Sequence, residues 1–362
     1  MTKPPYKLLT MREINALPLN NYKVVSTFSG TGGTCLGLRM AGYKVVWASE
    51  FVEAARQSYS ANFPDTPLDA RDIRDVTGAD ILQATGLRVG ELDVLEGSPP
   101  CASFSMAGKR EDKWGKTTSY GAKDVRWQRT DDLFYEYIRL LDELQPKTFI
   151  AENVAGLAVG AAIGHLKRFI SAMEVSGYNV TVKLLDASRL GVPQKRQRLI
   201  FMGVRSDLCT DTIKPRFPVP LPYVYTLADA CPWMVRDYVG SKPPIEDKAW
   251  FEQYAIHTAW KKLKLGQSSE RYFSLVKTHP DLPVPTITAV STQTGAAGLA
   301  HPYEPRKFSL AELRLLSSFP EDFVLMGTFE QAGERIGRSV PPLMAYHVGM
   351  SLLQVLRMID GK

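Results

Sequence analysis

Short apolar runs alternate with helical segments over about the first 200 residues, and this alternation is the strongest constraint on the fold. Helical periodicity predicts helices at about 34–40, 131–144 and 163–175. Strands and helices in regular succession are typical of parallel strands joined by crossover helices. The predicted strands are Lys23 to Thr27, Lys44 to Ser49, Asp93 to Leu95, Thr148 to Ala151, Asn179 to Leu185 and Arg198 to Val204. The sequence therefore predicts an α/β fold with a doubly wound, mostly parallel sheet.

A change of composition divides the chain. From about residue 206 to 305 the sequence is rich in Pro, Lys and aromatic residues, and its periodicity is weak. We expect a smaller irregular domain there, between a larger domain at 1–205 and a return segment at 306–362 that completes the larger one. In the return segment, 309–318 has helical periodicity, and Pro341-Pro342 opens an apolar helix to about Met358. This last helix is expected to pack on the first domain.

The overall composition narrows the class of protein. Of the 362 residues 44% are hydrophobic, enough for a full core, and no apolar run is long enough to cross a bilayer. No apolar stretch of the kind found in secretory signals stands near the N-terminus. The four cysteines are far apart, without a C-x-x-C pair, which argues against structural zinc and disulfides and favours a reducing cytoplasm. The net charge of +6 suits a polyanionic partner.

A glycine-rich turn follows the first predicted strand and precedes a predicted helix. This segment, the cofactor loop, reads Phe28-Ser29-Gly30-Thr31-Gly32-Gly33. A strand, a glycine turn and a helix N-terminus form a nucleotide-binding arrangement. The spacing is not G-x-G-x-x-G, and no Lys stands where a P-loop needs one. The loop therefore favours an adenosine cofactor whose other end is an amino acid, and the alternative is a tight turn without a ligand.

Side chains near the ends of the next two predicted strands support this hypothesis. Glu50 follows the second strand, where an acidic side chain can accept hydrogen bonds from both ribose hydroxyls. Phe51 comes next and is expected to cover a face of the adenine. Asp72-Ile73 is interpreted as the close of the third strand, within reach of the adenine edge.

A proline-stiffened loop follows the strand at 93–95. This nucleophile loop reads Gly97-Ser98-Pro99-Pro100-Cys101-Ala102-Ser103-Phe104-Ser105. The two prolines restrict the backbone before the thiol, and the small residues after it leave room for a flat substrate. The alternative for Cys101 is a buried, inert cysteine.

The cofactor loop, the nucleophile loop and the motifs that follow them occur in an order that resembles the DNA (cytosine-5) methyltransferases of the bacterial or phage type. The resemblance covers most of the chain outside about 206–300. Each motif alone is weak, and the order and the gaps between motifs make the set specific. After the cofactor loop come Pro100-Cys101 with Phe104-Ser105, Glu152-Asn153-Val154, Gln194-Lys195-Arg196-Gln197-Arg198, Arg306 to Pro320 and Gly337-Arg338-Ser339-Val340-Pro341-Pro342.

The resemblance implies a chemistry for these residues. As a thiolate, Cys101 adds to carbon 6 of cytosine, and the ring becomes an enamine whose carbon 5 attacks the methyl group of S-adenosylmethionine. Glu152 is implied to bind ring nitrogen 3 and the exocyclic amine as a protonated or proton-sharing acid. Arg198, with Arg196 beside it, is implied to bind oxygen 2. The implied cofactor residues are the whole cofactor loop with Glu50, Phe51, Asp72, Ile73, Ser98, Pro99, Arg338, Ser339 and Val340.

The resemblance also implies partners. Members of this family flip the target base out of duplex DNA, and Ser103 to Arg129 resembles the loop that closes over it. The irregular domain would recognise the DNA site through basic and aromatic residues. We expect a monomer, with a restriction endonuclease of the same specificity as a possible partner. The residues concerned are Lys242, Lys248, Lys261, Lys262, Lys264, Arg271 and Lys277, with Trp250, Tyr254, Trp260, Tyr272 and Phe273.

One residue departs from the family pattern. The last motif usually reads Gly-Asn-Ser-Val-Pro, and here Arg338 replaces the Asn. A cation beside a sulfonium is unfavourable unless an anion lies between them. Three interpretations follow. Arg338 binds a phosphate or an acidic side chain away from the cofactor, it binds the cofactor's carboxylate, or it admits carboxy-S-adenosylmethionine and the product is a carboxymethylated base.

Three other functions compete with this reading. Amino-group DNA methyltransferases resemble Ser-Pro-Pro-Tyr at the strand end, but here Cys101 replaces the aromatic residue and Glu152 would have no role. An RNA cytosine-5 enzyme shares the core motifs, since one branch of the family modifies tRNA, but the irregular domain of roughly 100 residues favours DNA. A non-catalytic DNA-binding homologue should lack Cys101 or Glu152, and both are present.

Overall fold

The computed structural model describes residues 3–100, 132–272, 274–293 and 298–361. The chain divides into two compact units, each built from three separate stretches. The sheet unit consists of Leu17–Leu185, Gln197–Pro218 and Tyr346–Lys362. The second unit consists of Met1–Ala16, Asp186–Arg196 and Val219–Ala345.

Seven strands form one sheet in the sheet unit. They are β1 (Lys23–Thr27), β2 (Lys44–Ser49), β3 (Leu68–Asp69), β4 (Val94–Gly97), β5 (Thr148–Val154), β6 (Tyr178–Asp186) and β7 (Gln197–Arg205). Their order across the sheet is β3-β2-β1-β4-β5-β7-β6. The first five strands pair in parallel, and β7 runs antiparallel to β5. The predicted doubly wound, mostly parallel sheet is confirmed.

The helices of the described residues follow the predicted alternation. They are α1 (Met11–Ala16), α2 (Gly33–Met40), α3 (Glu53–Asn62), α4 (Gly78–Thr85), α5 (Leu133–Leu144), α6 (Ile163–Val175), α7 (Leu227–Ala230), α8 (Ile256–Lys262), α9 (Leu310–Leu316), α10 (Phe329–Arg338) and α11 (Pro342–Ile359). As expected, the last helix packs on the sheet unit: Tyr43 donates a hydrogen bond to the carbonyl of Gly349 at 3.0 Å. Within the described ranges, no helix is both long and apolar enough to span a membrane.

The end of the third strand differs from its prediction. β3 already ends at Asp69, and Asp72 begins a short 3-10 helix, Ile73–Asp75. The Asp72 carboxylate accepts a hydrogen bond from the backbone N–H of Arg74 and pairs with its guanidinium at 3.2 Å. The interpretation of Asp72-Ile73 as the strand's close is therefore wrong, because the Asp side chain caps a turn.

The second unit has its own core and reaches beyond the predicted irregular domain. Its short strands β8 (Val276–Lys277) and β9 (Leu299–Ala300) pair in parallel. Phe308, Leu313 and Ile336 pack in one apolar cluster with Leu227. The predicted boundary at 305 therefore moves: residues 306–345 belong to the second unit and the return begins within α11. Residues 1–16 and 186–196 also join the second unit, while 206–218 stay with the sheet unit.

The pairing of β5 with β7 yields a stability prediction. Gly203 of β7 lies opposite Phe149 of β5, and a Cβ at Gly203 would stand 2.0 Å from the Phe149 ring. We expect Gly203→Ala to lower the free energy of unfolding by about 1–3 kcal/mol, because the ring cannot move without disturbing the core. Urea denaturation would measure the change.

Gly164 provides the matched control. It lies in α6, and no atom stands within 4 Å of its would-be Cβ. Gly164→Ala should leave the free energy of unfolding unchanged or raise it by up to about 1 kcal/mol. Equal stability of both variants would contradict the proposed packing.

Candidate active site

The carboxyl ends of the parallel strands bring the predicted residues of the sheet unit to one edge. Phe28 follows β1, Glu50 follows β2, Ser98 follows β4, and Glu152 lies near the end of β5. These four strands are consecutive in the sheet, in the order β2-β1-β4-β5. In open α/β sheets, ligands bind outside this edge.

The cofactor loop has a backbone conformation that its glycines make accessible. Phe28 has φ 53° and Gly32 has φ 92°, both in the left-handed region. A Cβ at Gly32 would stand 2.3 Å from the Phe63 ring, so only glycine satisfies both the torsion angle and the space. The positive φ of Phe28 is uncommon for a residue with a side chain and is typical of functional turns.

Glu50 holds the cofactor loop through both carboxylate oxygens. Its Oε2 accepts a hydrogen bond from the N–H of Gly30 at 2.8 Å, and its Oε1 accepts one from the N–H of Val52 at 2.7 Å. The Ser29 N–H donates to the Ser49 carbonyl at 2.9 Å. These hydrogen bonds hold the Glu50 carboxylate against the backbone of the cofactor loop, at the strand end where an acidic side chain can accept ribose hydroxyls.

Ser98 offers a polar group suited to a ligand at this edge. Its hydroxyl is buried and has no hydrogen-bond partner in the part of the chain that the structure describes. Buried polar groups are normally satisfied. The Ser98 hydroxyl, the Glu50 carboxylate and the backbone of the cofactor loop together offer hydrogen-bond donors and acceptors. These groups fit the hydroxyl, amine and carboxylate groups of S-adenosylmethionine.

Asn153 connects β5 to the start of the nucleophile loop by a hydrogen bond. It is buried, its Nδ2 donates to the Pro99 carbonyl at 3.3 Å, and its Oδ1 accepts from the Val154 N–H at 2.8 Å. The amide therefore connects the strand that carries Glu152 to the segment that leads into Cys101. Cys101, Phe104, Ser105 and the predicted closing loop at 103–129 lie outside the described residues.

Glu152 and Arg198 form an ion pair at the edge of the sheet. Arg198 Nε lies 2.7 Å from Glu152 Oε1, and each side chain is only 13% exposed. Glu152 faces Ile200 in the β5–β7 register, which makes Arg198 its diagonal neighbour, in reach of a long side chain. Burial lowers the pKa of Arg198 from its ordinary value, and the charge of Glu152 opposes this shift.

Arg196 has a different environment from Arg198. Its side chain is 1% exposed and lies in the second unit, where Nη1 donates to the Ile287 carbonyl and Nη2 to the Gly337 carbonyl, both at 2.9 Å. A Cβ at Gly337 would stand 2.4 Å from the backbone of Thr288. The described contacts of Arg196 thus join two backbone segments and do not place it beside Glu152.

The last motif also lies in the second unit. Arg338 ends α10, and its Nε and Nη2 lie 2.9 and 2.8 Å from Glu334 Oε1, one helical turn earlier. Burial acts to raise the pKa of Glu334, but the charges of Arg335 and Arg338 prevail and lower it. Ser339 Oγ donates to the Arg335 carbonyl at 2.7 Å, and Val340 is buried.

Comparison with known proteins gives the family. A sequence model described as C-5 cytosine-specific DNA methylase matches residues 22–354. The chain belongs to this family. It is a DNA (cytosine-5) methyltransferase, and the methyl donor of the family is S-adenosylmethionine.

Individual relatives agree with this methyltransferase family. The chain is 32% identical to the Type II methyltransferase M.PspPI of Psychrobacter sp., over 95% of this chain and 82% of that protein. It is 29% identical to the Type II methyltransferase M.NgoPII of Neisseria gonorrhoeae, over 96% of this chain and 99% of that protein. A crystal structure of a protein described as a DNA modification methyltransferase from an E. coli prophage has the same fold, with a TM-score of 0.70, 22% identity, and coverage of 93% of this chain and 100% of that one.

Sequence reasoning missed one polar residue of this methyltransferase beside the site. Glu96 lies in β4, just before the nucleophile loop, and is 2% exposed. The available signal was an acidic residue inside the otherwise apolar run Val94-Leu95-Glu96-Gly97. Charged residues are almost never fully buried unless they have partners.

The contacts of Arg196 lead to a prediction that separates it from Arg198. We expect Arg196→Lys to destabilise the methyltransferase by about 1–3 kcal/mol, because one ammonium cannot replace two guanidinium donors aimed at different carbonyls. Arg189→Lys is the matched control: Arg189 is exposed in the same stretch of the second unit and should change stability by less than about 0.5 kcal/mol. Chemical denaturation would measure both, and a fully stable Arg196→Lys would refute the structural role.

Proposed function

We propose that Cys101, Glu152 and Arg198 perform the transfer of a methyl group to carbon 5 of a cytosine flipped out of a specific duplex DNA site. The observation that carries the proposal is the largely buried Glu152–Arg198 pair, with Oε1 and Nε 2.7 Å apart. Through Asn153, the same strand is hydrogen-bonded to the segment that precedes Cys101. These contacts support the proposal by joining the strand of Glu152 both to Arg198 and to the segment that precedes Cys101.

Each residue has a defined task in this mechanism. The Cys101 thiolate forms a bond to carbon 6, and the electron pair displaced from the ring makes carbon 5 nucleophilic. Glu152 holds a proton at ring nitrogen 3, which offsets the charge that develops there. Arg198 donates to oxygen 2 and, through its ion pair, orients Glu152. Carbon 5 gains the methyl group and S-adenosylhomocysteine is released. A solvent water then accepts the carbon-5 proton, the electron pair of that bond re-forms the ring double bond, and the Cys101 thiolate departs.

The cofactor would be held by the cofactor loop, Glu50, Phe51 and Ser98, with Pro99 beside them. S-adenosylmethionine supplies a methyl group made electrophilic by its sulfonium. Glu50 would accept the ribose hydroxyls while its carboxylate keeps Gly30 in place. Asp72 and Ile73 remain proposed near the adenine, although the Asp72 carboxylate caps a turn. We propose Ser339 and Val340 as cofactor contacts from the family motif alone.

Arg196 receives a different proposal. Its guanidinium donates to two backbone carbonyls, so we propose that it is a positioning residue for the last motif. Arg198 alone is then proposed to touch the base.

Duplex DNA would be bound partly by the second unit. Several of its basic residues are already engaged: Lys242 and Lys248 form ion pairs, and Lys277 lies 4.1 Å from the centroid of the Trp260 ring. We propose that phosphate contacts come instead from the exposed residues at the end of α8 and just beyond it, which are Lys261, Lys262 and Lys264. By analogy with Type II relatives, we also propose a cognate restriction endonuclease, a cytoplasmic location and a monomer.

Nucleoside mass spectrometry tests this function. After incubation with unmethylated DNA and S-adenosylmethionine, we expect 5-methylcytosine from the wild type and none from Cys101→Ser, because a hydroxyl is a far weaker nucleophile than a thiolate. Glu152→Gln should lower kcat by about 10²-fold or more, since it removes the shared proton. Circular dichroism would check that both variants fold.

Other products would refute specific parts of the proposal. N4-methylcytosine, or full activity of Cys101→Ser, would rule out the covalent mechanism. Product on tRNA and none on DNA would rule out the duplex substrate.

The Arg338–Glu334 pair bears on the choice of cofactor. Because the described contacts of Arg338 neutralise it with an acidic side chain on its own helix, we infer that the transferred group is methyl. With S-adenosylmethionine and carboxy-S-adenosylmethionine in competition, we expect 5-methylcytosine as the main product of both the wild type and Arg338→Asn. Carboxymethylcytosine as the main wild-type product, lost in Arg338→Asn, would contradict this inference and assign the carboxylate to Arg338.

A further inference from the structure

A buried carboxyl group lies one strand away from the start of the cofactor loop. Glu96 occupies the third position of β4, directly opposite Ser26 of β1 in the parallel register. Its side chain is 2% exposed. The mechanism proposed above gives Glu96 no part. Burial of a carboxyl group costs free energy unless hydrogen bonds or charged partners compensate it.

Two hydroxyl groups bind Glu96 and connect it to both ends of the cofactor loop. Ser26 Oγ donates to Glu96 Oε2 at 2.5 Å, and Ser26 Oγ lies 2.8 Å from Ser29 Oγ within the loop. The Thr34 hydroxyl, just after Gly33 in the first turn of α2, also bonds to Glu96. The carboxyl group is therefore joined to the loop's start through Ser26 and to its exit through Thr34.

Among the residues that the structure describes, the groups that interact with Glu96 do not neutralise its charge. The thiol of Cys35 and the hydroxyls of Tyr59 and Tyr137 interact with it, and burial raises the pKa of each well above neutrality, so they stay uncharged. Glu152, paired with Arg198, contributes a weak repulsion. Burial raises the pKa of Glu96 from 4.5 to about 7, against the hydrogen bonds from Ser26 and Thr34.

We propose that Glu96 is a positioning residue for the cofactor loop, and that its ionised form is the one that binds S-adenosylmethionine. The inference rests on the proposed function of that loop. An ionised carboxylate only accepts hydrogen bonds, so it fixes the hydroxyl hydrogens of Ser26 and Thr34 toward itself. Ser26 Oγ is then left as an acceptor, and the one hydroxyl hydrogen of Ser29 is shared between Ser26 Oγ at 2.8 Å and the Ser26 carbonyl oxygen at 3.1 Å. A protonated carboxyl group donates its own hydrogen to one of these hydroxyls. The direction of that hydrogen bond is then reversed.

The positive charge of the cofactor also favours the ionised form of Glu96. S-adenosylmethionine carries one positive charge more than its product S-adenosylhomocysteine, which lacks the sulfonium. A buried anion close to the loop is screened less than one in water and attracts the cationic cofactor more than the neutral thioether. The ionised form of Glu96 would therefore help to discriminate substrate from product.

Calorimetric titration of the full-length protein tests the proposal. If only the ionised form binds, the dissociation constant of the wild type for S-adenosylmethionine should fall about tenfold from pH 6 to pH 8, as the competent fraction rises. Glu96→Gln should lack this component and bind about tenfold more weakly at pH 8. The amino group of the ligand titrates in every variant, so the ratio of wild type to Glu96→Gln is the quantity to compare. S-adenosylhomocysteine should lose less affinity than S-adenosylmethionine.

Two further variants keep the test specific. Ser26→Ala breaks the link to Ser29 without removing the acid and should raise KM for S-adenosylmethionine more than it lowers kcat. Asp93→Asn makes the same acid-to-amide change three residues before Glu96, at a buried group that pairs with Lys147. It should leave cofactor affinity and its pH dependence unchanged.

Thermal unfolding without cofactor reports the titration of Glu96 directly. Because its folded pKa of about 7 lies above the ordinary 4.5, the folded state keeps a proton that the unfolded state loses. The contribution of Glu96 to stability is then greatest below about pH 4.5 and is lost as the pH rises through about 7. The melting temperature of the wild type should therefore fall relative to that of Glu96→Gln across this range.

The outcomes separate the inference from the function it rests on. A wild type that binds neither S-adenosylmethionine nor S-adenosylhomocysteine overturns both. A wild type that binds and methylates, with Glu96→Gln and Ser26→Ala binding equally well at pH 8, overturns only the role of Glu96. A pH-dependent loss confined to Glu96→Gln and Ser26→Ala supports it.

Discussion

The register of β5 is the constraint on which the active site depends. This strand pairs in parallel with β4 and antiparallel with β7, so it alone touches both the strand before the nucleophile loop and the strand of Arg198. Because side chains alternate between the two faces, a slip by one residue would turn Glu152 away from Arg198. The Phe149 ring against Gly203 leaves no space for another side chain and thereby holds the register by shape.

Buried charges occur where the fold supplies partners. In the second unit, Arg306 and Glu312 are both fully buried and form an ion pair at 2.8 Å, which Trp233 extends by donating to Glu312. Glu152 with Arg198 follows the same rule in the sheet unit. Such pairs contribute little net stability, but losing one partner leaves an uncompensated charge, so they fix geometry more than they add free energy.

Local patterns predicted much of the fold. The bounds of β1, β2 and α6 were predicted in full, because an apolar run or a helical period lies within one element. The predictions failed where local chemistry competed, as at Asp72, whose side chain caps a turn instead of closing a strand. The domain boundary at 305 also moved, because Phe308 and Leu313 join a core that includes Leu227 and its neighbours, about 80 residues earlier in the chain.

The sequence by itself determined the fold class and the family, because these depend on regular alternation and on short motifs in a fixed order. It did not determine which side chain each charged group would meet. Arg196 and Arg198 are two residues apart, yet one binds a carbonyl 141 residues away and the other pairs with Glu152. Glu96 meets Ser26 across 70 residues. Only the tertiary structure decides such contacts, because strand order and register set them and neither is encoded in local spacing.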